Sequence, residues 1–351
     1  MKILALFHDN VGDVRGVSRR LHLEFLLKLN DFYDLKLYGP DMHLYNDKTL
    51  VPLLYNKSHS MKFIVNEIKP HIILCLSNIL TKKWLPNDFK LVSNIAKVIL
   101  EGDYHDVDNK NWYKDNNFNL VIHRSAEFNE NVPSVWMPLA ADECFYTDMK
   151  DINHKDRIKM VSFFGTCSNY KYYDVRRLAI ETLEKENILC GRNDDKDLEK
   201  HYQSKDFVSV ESKKRWGCNK ENYRYIVGYD DYPKKLKECV CSLSCAGGEL
   251  KGAVGKIFEI MASGTTLLTQ MFSNSEILFG HRCCVFYKRD CSDIVRKARK
   301  IINDADYSEY IAKNAVEAIN KHHLAYHRMK ELCNILEALY YGKDIPRKWG
   351  K

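Results

Sequence analysis

The sequence has no uninterrupted apolar run of about 18 residues, the length at which a transmembrane helix becomes a candidate. Residues 1–7 have too short an apolar core for a signal peptide and no small-residue cleavage site, so they predict a first buried strand. Internal repeats and low-complexity tracts are also absent. We therefore expect a cytoplasmic protein, or one of the host cytoplasm if a virus encodes it.

The chain also lacks a paired CxxC motif at zinc-site spacing, although it has 12 cysteines. The cysteines are scattered, and several stand inside apolar runs, as Cys75 and Cys283 do. Without a secretion signal, this pattern predicts reduced, buried thiols and no metal site.

The bulk composition is that of a globular protein, with 45% hydrophobic and 29% charged residues. At 351 residues the chain is long enough for two domains with proper cores. The net charge of +7 suits an anionic ligand such as a nucleotide diphosphate, DNA or a phospholipid surface. The charge is too small to choose among them, because a nucleic-acid footprint is usually more basic and more clustered.

Short apolar runs alternate with amphipathic segments along the whole chain, which predicts an α/β protein with parallel sheets covered on both faces. The stretch 150–159 is charged and has no periodicity, as in an interdomain linker. We therefore predict an N-terminal domain at 1–150, a C-terminal domain at 151–325 and a final helical segment at 326–351.

Residues 255–264 carry the most informative pattern. Apolar residues recur at helical spacing and predict one buried helix face, with Lys256 and Glu259 off that face. Gly264 predicts a left-handed cap at the end of the helix, and the run 266–269 predicts a buried strand. An ordinary amphipathic helix would have the same periodicity, but a lone Lys and a lone Glu flanking an aromatic residue favour a functional role.

This pattern resembles the nucleotide-sugar signature of glycosyltransferases with two facing Rossmann-like domains, the GT-B fold. The strand end 161–165 followed by Arg176, and the segment 136–142, resemble the CgeB-type, spore-protein-like branch of that group. Residues 311–328 loosely resemble its C-terminal helix. The resemblance implies a GT-B fold whose C-terminal helix crosses back to the N-terminal domain.

The resemblance also implies a binding site for the donor in the C-terminal domain, where a Glu at the position of Glu259 holds the ribose hydroxyls. Independently, residues 165–169 link a predicted strand to a helix, so backbone N–H groups and a positive helix end could bind phosphate. An ordinary strand–helix turn with basic residues on its surface would look the same. The candidate donor-binding residues of these segments are Gly165, Thr166, Lys171, Arg176, Lys256 and Glu259.

A further strand end, at Val227 and Gly228, is where the family places the donor base against backbone groups. A plain loop with two carboxylates is the alternative interpretation of this segment.

On the N-terminal side, a predicted strand at 97–100 leads into a cluster of acids and a histidine. Ligands of such sheets lie beyond the carboxyl ends of the strands. Asp103 is therefore the candidate general base, at a position comparable, more loosely, to that of the base of a phage β-glucosyltransferase that acts on modified DNA. His105 is the second catalytic candidate and Asp106 the third, while a solvated loop would explain the same residues.

The implied reaction moves a sugar from a nucleotide-diphosphate sugar, with a UDP-sugar favoured, to a hydroxyl of a glycan, protein or small molecule. The resemblance implies that this reaction needs neither metal nor cofactor. Many retaining members carry a second Glu eight residues before the ribose Glu, but Lys251 stands there, so the stereochemical outcome is open. The alternatives are a glycosyltransferase acting on hydroxymethylated DNA bases and a non-catalytic GT-B-like coat or virion protein.

Overall fold

The computed structural model describes residues 1–7, 25–40, 53–76, 84–101, 111–124, 131–165, 173–190, 231–245 and 252–349. These residues form two compact units. One contains the described residues up to Pro138 and those from Tyr326 onward, and the other is formed by Leu139–Ala325. The domain boundaries expected from the sequence, at 150 and 325, stay a prediction.

The first unit is built on a parallel sheet with the order β2-β1-β3-β4-β5-β6. Its strands are β1 (Lys2–Leu6), β2 (Asp34–Tyr38), β3 (Ile72–Leu76), β4 (Ala96–Leu100), β5 (Leu120–His123) and β6 (Ser134–Trp136). Its α-helices are α1 (Met61–Ile68), α2 (Trp112–Asp115) and α9 (Ala325–Tyr340), with 3₁₀ turns at Lys28–Asp31 and Phe89–Leu91.

Alternate residues of each strand face opposite sides of this sheet, and both sides are apolar. Ile3 and Ala5 of β1 belong to a core cluster that also contains Leu332 and Leu336 of α9. Leu4 lies in the cluster on the opposite face, which includes residues of α1 and α2. Helix α9 is therefore part of the hydrophobic core of the first unit.

The second unit is built on a parallel sheet with the order β11-β10-β9-β7-β8. Its strands are β7 (Ile158–Ser162), β8 (Leu189–Cys190), β9 (Cys239–Ser244), β10 (Thr266–Gln270) and β11 (Val285–Tyr287). Its α-helices are α3 (Asp174–Lys185), α4 (Tyr232–Leu236), α5 (Gly255–Ala262), α6 (Ser275–Phe279), α7 (Ile294–Asn303) and α8 (Ala305–His322), with 3₁₀ turns at Glu143–Phe145 and Met149–Asp151. These two parallel sheets confirm the α/β class.

The stretch 150–159 packs against the second unit, so its interpretation as a linker is wrong. Ile152 lies in a small core cluster with Ala312 and Val316 of α8. His154 is fully buried, with Nδ1 2.7 Å from Ser308 Oγ and Nε2 2.9 Å from the Gly264 carbonyl oxygen. Burial lowers the pKa of His154 to about 4, so the ring is neutral near pH 7. The sequence did not indicate this packing, because the buried side chains of the stretch are separated by charged, exposed ones.

Lys97 is a buried lysine in the first unit, on strand β4. Its Nζ donates hydrogen bonds to the carbonyl oxygens of Phe89 at 3.2 Å and Asn116 at 2.9 Å. Burial lowers the pKa of this ammonium group to about 8. Lys97 thus joins β4 to the ends of two neighbouring segments.

In the part of the chain that the structure describes, none of the helices combines the length and apolar character needed to span a membrane.

Candidate functional site

Helix α5 places the two charged residues of the predicted signature on its first turns, beside a buried face. The helix ends as expected from Gly264, whose φ of +67° is the left-handed conformation that glycine tolerates best. The strand that follows, β10, is buried throughout. The buried residues of the helix are Ile257, Phe258, Ile260, Met261 and Ala262. Core packing therefore fixes the orientation from which Lys256 and Glu259 extend.

Lys256 extends towards the end of β7 rather than into solvent. Its Nζ lies 5.4 Å from the ring centroid of Phe163 and 5.7 Å from that of Tyr232, both within the range of cation–π attraction. No hydrogen bond from Nζ is formed within the described ranges, in contrast to Lys97. Burial, followed by the positive charge of Arg176, lowers the pKa of Lys256 to about 8.

The absence of a side chain at Gly165 leaves space for the Lys256 ammonium group. The residue follows β7 with a φ of +141°, a conformation that side-chain-bearing residues rarely adopt. A methyl group at this position would lie 2.6 Å from Lys256 Nζ. Gly165 and Lys256, both predicted as donor-binding residues, are thus neighbours in the second unit.

Arg176 provides a second cation from the first turn of α3. Its Nη2 donates to the Cys245 carbonyl oxygen at 3.2 Å. Its guanidinium carbon lies 4.3 Å from the Tyr173 ring centroid and 5.7 Å from that of Phe163. Since both Arg176 and Lys256 contact Phe163, two positive groups converge at the carboxyl end of β7.

Glu259 lies one helical turn after Lys256 and contacts Tyr232, the first residue of α4. The Tyr232 hydroxyl donates a hydrogen bond to Glu259 Oε2 at 3.0 Å. Burial raises the pKa of Glu259, while the positive charge of Lys256 and the bond from Tyr232 act in the opposite direction. Glu259 and Lys256 both remain partly exposed, so a ligand can reach them even though burial dominates both pKa shifts.

The structure therefore brings together four predicted donor-site residues, Gly165, Arg176, Lys256 and Glu259. Two cations next to a glycine with positive φ suit a polyanion such as a diphosphate. A carboxylate one turn further along the helix suits a hydroxyl-bearing group attached to that anion. The carboxyl ends of parallel strands are the usual place for such a ligand.

The other predicted residues lie outside the described residues. They are Thr166, Lys171, Val227 and Gly228 on the donor side, and Asp103, His105 and Asp106 on the acceptor side. Among the residues that the structure describes, no group of His, Cys, Asp and Glu could hold a metal ion.

Sequence reasoning missed Tyr232 and Cys245 in the second unit. Tyr232 belongs to an acidic, tyrosine-rich stretch, and its position just before Pro233 at the start of a helix was the available signal. Cys245 contributes its backbone carbonyl to Arg176, and sequence reasoning does not reveal backbone contacts of this kind.

A second polar group was also missed, at the carboxyl ends of β4 and β5 in the first unit. Glu101 is buried and accepts a hydrogen bond at Oε1 from the Tyr113 hydroxyl at 2.6 Å. Its Oε2 lies 2.8 Å from His123 Nδ1. Both carboxylate oxygens of Glu101 thus have a polar partner, and Glu101 lies two residues before Asp103 in the sequence. A histidine ending an apolar strand was the signal for this group.

Comparisons with known proteins give a partial family match and several structures of similar fold. Residues 176–334, less than half of the chain, match a protein-family model described as glycosyl transferase-like. No functionally curated protein matches the sequence. The chain is similar to the solved structure of sucrose-phosphate synthase from Thermosynechococcus elongatus, with a TM-score of 0.65 and 10% identity over 98% of this chain and 100% of that one.

Two further solved structures are similar over nearly their whole length. HepE of Anabaena in complex with UDP-glucose has a TM-score of 0.64 and 15% identity, covering 96% of this chain and 100% of that one. An α-glucosyltransferase in complex with UDP-glucose and DNA has a TM-score of 0.61 and 11% identity, covering 96% and 99%. The chain has the GT-B fold. At these identities the GT-B likeness establishes architecture, and the CgeB-type branch stays a prediction.

Lys97 and Lys256 have pKa values lowered to the same level, and the same substitution should affect them in opposite ways. Lys97→Met leaves two carbonyl oxygens without their donor, so we expect a loss of about 1–3 kcal/mol in unfolding free energy. Lys256→Met removes an ammonium group without hydrogen bonds in the described residues, so we expect unchanged or increased stability at pH 7. Urea denaturation of the two variants measures both effects.

The pH dependence provides the control. Each lysine titrates near pH 8 when folded and near 10.5 when unfolded. The folded state therefore loses its proton first, and wild-type stability should rise relative to either variant between pH 8 and pH 10. A Lys256→Met variant as unstable as Lys97→Met would contradict a ligand-binding role for Lys256.

Proposed function

We propose that this protein is a glycosyltransferase that moves a sugar from a nucleotide-diphosphate sugar to a hydroxyl of an acceptor. The observation that carries the proposal is the convergence of Lys256 and Arg176 near Gly165, with Glu259 one helical turn further on. The family model over residues 176–334 covers these residues apart from Gly165. The proposal includes the predicted absence of a metal requirement, because the two cations can offset the charge of the leaving diphosphate.

A UDP-sugar is the donor that we favour. Two structurally similar proteins, HepE and the α-glucosyltransferase, are recorded in complex with UDP-glucose. In our proposal, Lys256 and Arg176 bind the diphosphate, and Glu259 accepts hydrogen bonds from the ribose hydroxyls. Thr166 and Lys171 would add to the phosphate site, and Val227 and Gly228 to the site of the base.

A thermal-shift screen of nucleotides, followed by mass spectrometry of donor hydrolysis, tests the proposal. A specific ligand at 100 times its dissociation constant adds about 2.7 kcal/mol to the unfolding free energy. We expect UDP and one UDP-sugar to stabilise the protein, and the same sugar to be released slowly to water. Stabilisation by no nucleotide would contradict the proposal and favour the non-catalytic coat or virion protein.

The acceptor in our proposal is a hydroxyl of a glycan, a protein or a small molecule. The second candidate is a hydroxymethylated base in DNA, supported by the DNA in the complex of the similar α-glucosyltransferase. Transfer of radiolabelled sugar to hydroxymethylated duplex DNA, with unmodified DNA as the control, separates the two. Label in the modified duplex alone would establish the second candidate.

Neutralising the cations should affect the diphosphate rather than the nucleoside. Lys256→Met and Arg176→Met are each expected to weaken UDP binding by on the order of tenfold or more, because each removes a charge-assisted contact. Uridine lacks the diphosphate, so its affinity should change little. Isothermal titration calorimetry with both ligands measures the difference, and equal losses would place these residues away from the diphosphate.

We also propose Asp103 as the general base, with His105 and then Asp106 as the alternatives. Asp103→Asn keeps the size of the side chain but removes the proton acceptor, and a general base contributes about 10²–10⁴-fold in rate. We expect turnover to fall by this factor while UDP-sugar affinity stays unchanged. Near-normal transfer by the variant would move the role to His105 or Asp106, or to a donor phosphate oxygen.

A further inference from the structure

Tyr232 and Glu259 form a contact that extends the proposed donor site. The Tyr232 ring is 5% exposed. It packs edge-on against Phe145, at 5.4 Å between ring centroids, and against Phe164, at 5.8 Å. An aromatic ring held by two others has little freedom, so its hydroxyl occupies a fixed point.

That fixed hydroxyl binds one of the two carboxylate oxygens of Glu259. It donates to Oε2 at 3.0 Å, which leaves Oε1 on the other side of the carboxylate. A methyl group built at Gly255 would lie 3.7 Å from Oε1, so this oxygen lies near the start of α5. No hydrogen bond to Oε1 is formed by the residues that the structure describes, in contrast to Oε2, so Oε1 can accept one from a ligand.

We infer that Tyr232 is a positioning residue, which orients Glu259 so that Oε1 accepts hydrogen bonds from the ribose hydroxyls of the donor. This inference rests on the proposed function. A glutamate side chain has three rotatable bonds, and a bond from a rigid partner selects one arrangement of them before the ligand arrives. The same ring lies below Lys256 Nζ, so Tyr232 contacts both the ribose-binding and the phosphate-binding residue.

The electrostatics of Glu259 support a ligand-directed role. A carboxylate serving only as a partner for Tyr232 could equally be a neutral amide, which would avoid the cost of a partly desolvated charge. Burial raises the pKa of Glu259, so its charged form is held at a cost to the folded state. Charged hydrogen bonds to a vicinal diol can use that charge.

The test uses the Tyr232→Phe variant of the full chain, which keeps the ring and its packing and removes only the hydroxyl. Calorimetry with UDP, 2′-deoxy-UDP and 3′-deoxy-UDP gives the factor by which each ribose hydroxyl strengthens binding. For the variant we expect UDP affinity to fall by about tenfold, the size of one hydrogen bond to a charged group. The preference for UDP over the deoxy analogues should fall as well. Tyr310→Phe, which removes an exposed hydroxyl from the same unit, is the matched control and should change neither quantity.

A double-mutant cycle with Glu259→Gln distinguishes positioning from a general structural effect. In the Glu259→Gln background, Tyr232→Phe should change the ribose preference no further, because both substitutions act on the same contact. Equal weakening of UDP and both deoxy analogues by Tyr232→Phe would overturn the inference and leave the proposed function standing. Failure of the wild-type protein to bind UDP or any other nucleoside diphosphate would overturn both.

Discussion

The buried face of α5 fixes the geometry of the proposed donor site. Five consecutive or near-consecutive apolar residues of this helix are packed into the second unit, so the directions in which Lys256 and Glu259 extend are set by the core. Removing an ammonium group and a carboxylate from water is unfavourable for their charged forms. This cost lowers the pKa of Lys256 and raises the pKa of Glu259. A polyanion attached to a diol would compensate both groups at once.

The surroundings of these two side chains differ from those of a purely structural charge. Lys97 is buried too, but its ammonium group is bound to two carbonyl oxygens, and the contact joins three segments of the first unit. Lys256 faces two aromatic rings and a glycine with a φ of +141°. Glycine loses more conformational entropy on folding than any other residue and contributes no side-chain packing. Such a residue is expected where the backbone must approach a ligand closely.

The sequence predicted the elements with strong local patterns. The helix predicted within 255–264 and the strands predicted at 97–100 and 266–269 correspond to α5 (Gly255–Ala262), β4 (Ala96–Leu100) and β10 (Thr266–Gln270). Strand β6 was not predicted, because it has three residues, of which only Val135 is buried. The contact of Tyr232 with Glu259 joins residues 27 positions apart, so no local pattern contains it. The pairing of Lys256 with Gly165 also depends on the sheet, since β7 and β9 are neighbours only after folding.

We propose that Gly165, Arg176, Lys256 and Glu259 bind one nucleotide-diphosphate donor. The crystal structure of the protein with UDP-glucose tests it most directly. We expect the diphosphate oxygens within hydrogen-bonding distance, roughly 2.7–3.2 Å, of Lys256 Nζ and the Arg176 guanidinium. We also expect the ribose hydroxyls at the same distance from Glu259 Oε1, with the Tyr232 bond to Oε2 intact. A nucleotide bound elsewhere, or one whose ribose does not contact Glu259, would show that these residues do not form the donor site.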